Sequence, residues 1–151
     1  MKKSAGILLY SKSPVKFFLV HPGGPFWRNK DEGAWTIPKG ELEDGEDGLA
    51  TAKREFKEET GKEINGNFVQ LTPVKQKGGK LVCAWAIEGD IDAENITSNT
   101  FKIQWPPKSG KWIEVPEVDK AGWFFVEEAK QKINPAQAPL LDELLNLLQA
   151  G

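Results

Sequence analysis

The chain has 151 residues, a net charge of −2 at pH 7 and one cysteine, a length that suits one domain with a buried core. That charge excludes binding to nucleic acid or an anionic membrane through bulk electrostatics, and a lone thiol excludes an internal disulfide framework. No apolar run approaches the ~20 residues of a membrane span, and the apolar stretch at 5–10 behind Met1-Lys2-Lys3 is too short for a secretory signal. A single domain over 1–151, resident in the cytoplasm, is the expectation.

Residues 4–10 and 15–21 read as strands joined by a Lys12-Ser13-Pro14 turn. Residues 22–34, opening on Pro22-Gly23-Gly24-Pro25, form a polar loop rich in Gly and Pro. Trp35-Thr36-Ile37 is expected as a short strand that Pro38-Lys39-Gly40 ends. A helix is predicted from Asp47 to Thr60, with Leu49, Ala52 and Phe56 as its apolar stripe and Gly61 as its stop. Strands at 67–76 and 80–88 flank a Lys77-Gly78-Gly79 turn. The second carries Cys83 in an apolar run, which predicts a buried structural thiol. Trp105-Pro106-Pro107 and Val115-Pro116 break any long element between 90 and 121. A strand at 122–126, a short helix at 127–132 and a last helix after Asn134-Pro135 complete the chain. In that last helix Leu140, Leu141, Leu144, Leu145 and Leu148 recur at helical spacing, as core-packing residues do.

Three carboxylates crowd the end of the 47–60 helix. Glu58 and Glu59 lie three and four residues from Glu55, so all three share one face, where each like-charge pair costs about 0.2–0.5 kcal/mol. The negative helix terminus adds to the penalty. A bound cation explains a cluster that opposes its own helix, and oxygen donors without His or Cys select Mg²⁺ or Mn²⁺ over zinc.

The wider stretch is Gly40, five residues, Glu46, seven residues, Arg54-Glu55-Phe56-Lys57-Glu58-Glu59-Thr60-Gly61. It resembles the signature of the Nudix hydrolases at every fixed position; only the apolar slot after Gly61 departs, being filled by Lys62. Seven fixed identities arise by chance roughly once in 10⁸ trials at residue frequencies near ~7%. The resemblance implies an α/β (α+β) fold, an α/β/α sandwich around a mixed β-sheet. It implies that Glu55, Glu58 and Glu59 hold Mg²⁺ (or Mn²⁺), joined by the Gly40 carbonyl. Glu46 and Arg54 would orient those carboxylates through a charge-assisted pair.

Two further segments extend the resemblance toward the MutT-like members that act on nucleoside and dinucleoside polyphosphates. Trp35-Thr36-Ile37-Pro38-Lys39-Gly40 looks like their lead-in, and Lys39 would offer a point charge to a phosphate. Glu117 lies six residues before Trp123, a spacing similar to that of diadenosine tetraphosphate hydrolases, where it implies an extra ligand or a general base. The base stays open among Glu58, Glu59 and Glu117. One departure is that some of those members carry a Tyr near 75–85, whereas the only Tyr here is Tyr10. ADP-ribose members place a Pro about fifteen residues past the motif, where this chain has Lys77, with Pro73 nearest.

Among weaker features, Trp27 and Trp105 sit in otherwise polar or Pro-rich segments, and a ring there would stack on a base for ~1–3 kcal/mol. Lys75, Lys77 and Lys80 flank the hairpin turn and suit either a polyphosphate tail or solvent. His21 stands alone, so a zinc site or a His-based triad is disfavoured and it reads as structural. The expected activity is metal-dependent hydrolysis of a phosphoanhydride, first in dinucleoside polyphosphates or nucleoside triphosphates. The alternatives are an ADP-ribose or diphosphoinositol hydrolase, or a non-catalytic nucleotide sensor; the four intact motif glutamates favour catalysis. The expected partner is a small nucleotide, with neither nucleic acid nor membrane, and the chain is either monomer or homodimer.

Overall fold

Strand β1 (Lys3–Ser11) is the spine of the molecule, which a computed structural model describes over residues 2–150. It pairs in parallel with β6 (Leu81–Glu88) and antiparallel with β2 (Lys16–Pro22) and β3 (Lys39–Leu42). Strand β2 continues antiparallel to β9 (Val118–Phe125), while two fragments, β4 (Val69–Gln70) and β5 (Val74–Lys75), flank β6. The sheet is therefore mixed, with the path β4-β6-β1-β2-β9.

The near-continuous apolar run of β1 follows from burial on both faces. Ala5, Ile7 and Leu9 join Phe18, Val20, Ala52 and Phe56 under helix α1 (Gly48–Thr60). Leu8, Phe17 and Leu19 point the other way, against Ala129 of α2 (Val126–Lys132) and the Leu140, Leu141 and Leu144 stripe of α3 (Ala138–Ala150). This is the α/β/α sandwich with a mixed sheet that the sequence implied. No helix among the described residues is long and apolar enough to cross a membrane.

Four expectations need correction. Trp35-Thr36-Ile37 is no strand: Thr36 and Trp35 make only isolated bridges, to Val20 and Ile133, and the paired strand β3 starts at Lys39. Pro38 brings no N–H to a ladder, and its carbonyl instead accepts from Ile7 N–H at 3.1 Å. The 67–76 strand is split around Thr72-Pro73 into β4 and β5 for the same reason. Cys83 is only half-buried, because it lies on the β6 face with Leu81 and Trp85, while Val82, Ala84 and Ala86 take the closed side. Finally, β9 starts at Val118 rather than 122, and the 90–121 segment contains a separate ribbon of β7 (Thr100–Gln104) and β8 (Trp112–Pro116).

Candidate active site

Helix α1 carries the carboxylates, and its ends are fixed by local chemistry. The Asp47 side chain caps the start by accepting from Ala50 N–H at 2.8 Å. Gly61 ends the helix in the left-handed region (φ 77°), its N–H donating to the Lys57 carbonyl at 2.7 Å. Between them Ala52, Phe56 and Thr60 turn inward and are buried. That face requirement leaves Glu55, Glu58 and Glu59 on the flank toward β3.

Strand β3 meets this flank through backbone. The Lys39 N–H donates to Glu59 Oε1 at 3.3 Å. A Cβ added at Gly40 would fall inside the Glu55 carboxylate, so the glycine is what lets the β3 backbone lie against that acid. Arg54 ties the cluster together: its Nη1 donates to Glu46 Oε2 at 3.1 Å, its Nη2 lies 3.5 Å from Glu55 Oε1, and its Nε 3.9 Å from Glu58 Oε1. Glu46 is itself fixed, accepting from Glu43 N–H at 2.8 Å.

Lys39, Glu59 and Glu117 line a cavity of about 140 Å³, closed by Val20, Pro22, Thr36 and Val118. Burial pushes the Glu59 carboxyl up to about 8, against the pull of Lys39 and with Glu117 and Glu55 adding to the rise. Burial likewise raises the Glu55 carboxyl, aided by Glu58, and raises that of Glu117, again aided by Glu58. The Lys39 ammonium is pushed down by burial and then by Lys80, while Glu59 and Glu55 oppose the change. Acid and base both lean toward their neutral forms, so desolvation outweighs their mutual attraction here. Such a cluster gains if a cation takes up its negative charge.

As they stand, no three His, Cys, Asp or Glu side chains among the described residues converge closely enough to hold an ion. Glu55 and Glu58 are drawn to Arg54 and Glu59 to the Lys39 amide. Even so, the donor set fits a hard divalent ion: carboxylates from α1 stand beside the Gly40 backbone, and all are oxygen donors.

The two tryptophans suggested for base stacking do not line this cavity. Trp27 packs edge-on against Phe26 (5.0 Å between centroids), with Lys30 Nζ 5.5 Å from its ring. Trp105 stands where the β7–β8 ribbon turns, its N–H donating to the Lys111 carbonyl at 2.9 Å. Lys75 and Lys77 are exposed, whereas Lys80 lies close enough to Lys39 to depress it. Sequence reasoning missed Val20, Pro22, Thr36 and Val118 as cavity walls. Strand alternation could have put Val20 with Phe18 on the α1 face, but no local signal brings Lys80 to Lys39. That approach follows from β5 and β3 lying on β6 and β1, which pair in parallel.

Comparison with known proteins agrees with this architecture. A rat bis(5'-nucleosyl)-tetraphosphatase (asymmetrical) is 33% identical over 103 residues, which cover 64% of this chain and 65% of that protein. The chain thus matches less than two thirds of that relative's length. A C. elegans Ap4A hydrolase binary complex superposes with a TM-score of 0.67 at 23% identity, covering 100% of both chains. The NUDIX domain of Shewanella oneidensis NrtR, complexed with ADP ribose, gives a TM-score of 0.66 at 14% identity over 97% of this chain and 87% of that one. At these identities both likenesses speak to fold. The NUDIX domain model matches residues 2–144, and the chain belongs to the NUDIX family.

Proposed function

We propose that this protein is a pyrophosphohydrolase that cleaves a phosphoanhydride bond in nucleoside polyphosphates, with dinucleoside polyphosphates such as diadenosine tetraphosphate as its first substrate class. One observation carries this reading: a family motif helix, strand β3 at Lys39-Gly40 and Glu117 in the bend between β8 and β9 meet around one cavity. The partly matching rat tetraphosphatase points to the substrate class, as does the Lys39 lead-in.

Glu55, Glu58 and Glu59, with the Gly40 carbonyl, would hold Mg²⁺ or Mn²⁺. Such an ion, when bound, neutralises phosphate oxygens and acidifies an adjacent water. Arg54, bonded to Glu46, restrains the carboxylates and limits the motion lost on binding. Lys39 offers its ammonium to a phosphate oxygen across the cavity. Glu117 stands off α1 and would take the proton of the attacking water, with Glu58 and Glu59 serving as ligands when the ion is bound. Val20 and Val118 give the cavity an apolar wall beside these charged groups, which strengthens electrostatic interactions there.

The test is a hydrolysis screen with and without Mg²⁺ or Mn²⁺ over diadenosine tetraphosphate, nucleoside triphosphates, ADP-ribose and diphosphoinositols. Metal-dependent release of nucleotides from diadenosine tetraphosphate is expected. Replacing Glu58, Glu59 or Glu117 by Gln is expected to lower turnover by about 10²-fold or more, in keeping with loss of a general base or a metal ligand. Binding of these nucleotides without turnover would instead identify a sensor.

A further inference from the structure

His21 is fully buried, yet it lines no part of the cavity. Both of its ring nitrogens are engaged. Nε2 donates to the Lys30 carbonyl at 2.6 Å, and Nδ1 lies 2.8 Å from Asp119 Oδ1. A carbonyl and a carboxylate are both acceptors, and with both nitrogens turned to protein partners neither is directed at a metal or a substrate. The ring also stands edge-on to Trp35, 5.3 Å between centroids.

What His21 holds is the route by which Glu117 reaches the cavity. Strand β2 pairs His21 with Lys120, but the next pair is Pro22 with Val118, so Asp119 is the extra residue of a bulge. Its side chain is the one that meets the imidazole. Immediately beyond, Gly23 N–H donates to the Glu117 carbonyl at 3.0 Å, and a Cβ at Gly23 would collide with the Pro116 carbonyl. Glu117 N–H in turn donates to the Asn99 carbonyl at 2.9 Å. The Glu117 peptide is thus clamped from both sides, and the clamp is anchored by one buried side chain. The other arm of His21, at the Lys30 carbonyl, holds the loop that starts at Gly23 at a second point.

We propose that His21 is a positioning residue that, through the Asp119 bulge and the Lys30 carbonyl, sets where Glu117 stands relative to the α1 carboxylates without touching substrate. The proposal rests on the hydrolase reading for its kinetic consequence, and on the geometry of the bulge for its structural one.

Two variants test it: His21→Gln from the buried side, and Asp119→Ala from the exposed side, where no core volume changes. With diadenosine tetraphosphate and Mg²⁺, each is expected to lower kcat by about tenfold while KM stays within about threefold. In a Glu117→Gln background neither is expected to change kcat by more than about twofold, since residues acting through one group are not additive. Independently of activity, amide exchange in the metal-free protein is expected to speed up at Gly23 and Glu117 by about tenfold and to stay unchanged along α1. Undiminished losses in the Glu117→Gln background, or unaltered exchange at Gly23 and Glu117, would overturn the proposal. A wild-type protein that hydrolyses nothing, while both variants still loosen those two amides, would count against the hydrolase reading and for the clamp.

Discussion

Glu59 bears the heaviest electrostatic load in the cluster. Its carboxyl is pushed up to about 8 by burial, while the ordinary value of a Glu is 4.5. At low pH both the folded and unfolded chains hold this proton, and no penalty arises. As pH rises past the ordinary value the unfolded chain releases it while the folded one retains it, so the metal-free protein loses stability progressively until pH passes about 8. Glu59→Gln removes the titration. Thermal melts in chelator are expected to show the variant close to wild type in mild acid and more stable than wild type in mild base. A variant less stable than wild type in mild base would contradict the burial argument. Gly40 makes a complementary point, since any Cβ there overlaps the Glu55 carboxylate. Gly40→Ala is expected to leave the fold intact and reduce kcat/KM by about 10²-fold, the cost of displacing a reacting group by roughly 1 Å. The acids themselves were legible as a motif, but their environment was not: it depends on Lys39, Lys80 and Glu117 arriving from three other parts of the chain.

Helix α1 separates stability from function along its length. Asp47 caps one end and Gly61 the other, and only the second lies beside the carboxylates. Asp47→Ala is expected to cost about 1 kcal/mol in denaturant unfolding with turnover retained. Gly61→Ala is expected to cost a similar ~1 kcal/mol from its left-handed backbone and also to lower turnover, because the last turn carries Glu58 and Glu59. Both caps follow from residue type alone, which is why the helix bounds were legible to within a residue. Strand β3 was not legible. Its Lys39-Gly40-Glu41-Leu42 sequence has no β-branched or aromatic residue, and its pairing with residues 3–6 of β1 makes it a strand. The Trp35 and Ile37 side chains that suggested a strand four residues earlier are buried for a different reason: they fill the core beside α2 and α3.

Across the whole molecule, one sheet is sealed by apolar side chains on both faces, and α1 is fastened by few of them. Phe56 is fully buried and meets the Phe18 ring at 6.0 Å. Phe56→Ala is expected to destabilise the protein by about 3–5 kcal/mol, read as a lower denaturant midpoint. The site would be lost with the helix, since no other element carries the three acids. By itself, the sequence determined the helix ends, the apolar faces, the acidic cluster and the family, because each is written in spacing of 3–4 or 2 residues or in a contiguous motif. Tertiary structure alone decided the depth of Glu59, the approach of Lys80 to Lys39, and the bulge that turns Asp119 toward His21. It also left Trp27 and Trp105 away from the cavity. Each of these depends on which strands lie side by side, and β1 with β6, or β2 with β9, are joined by hydrogen bonds between residues far apart in the chain, which no local pattern records.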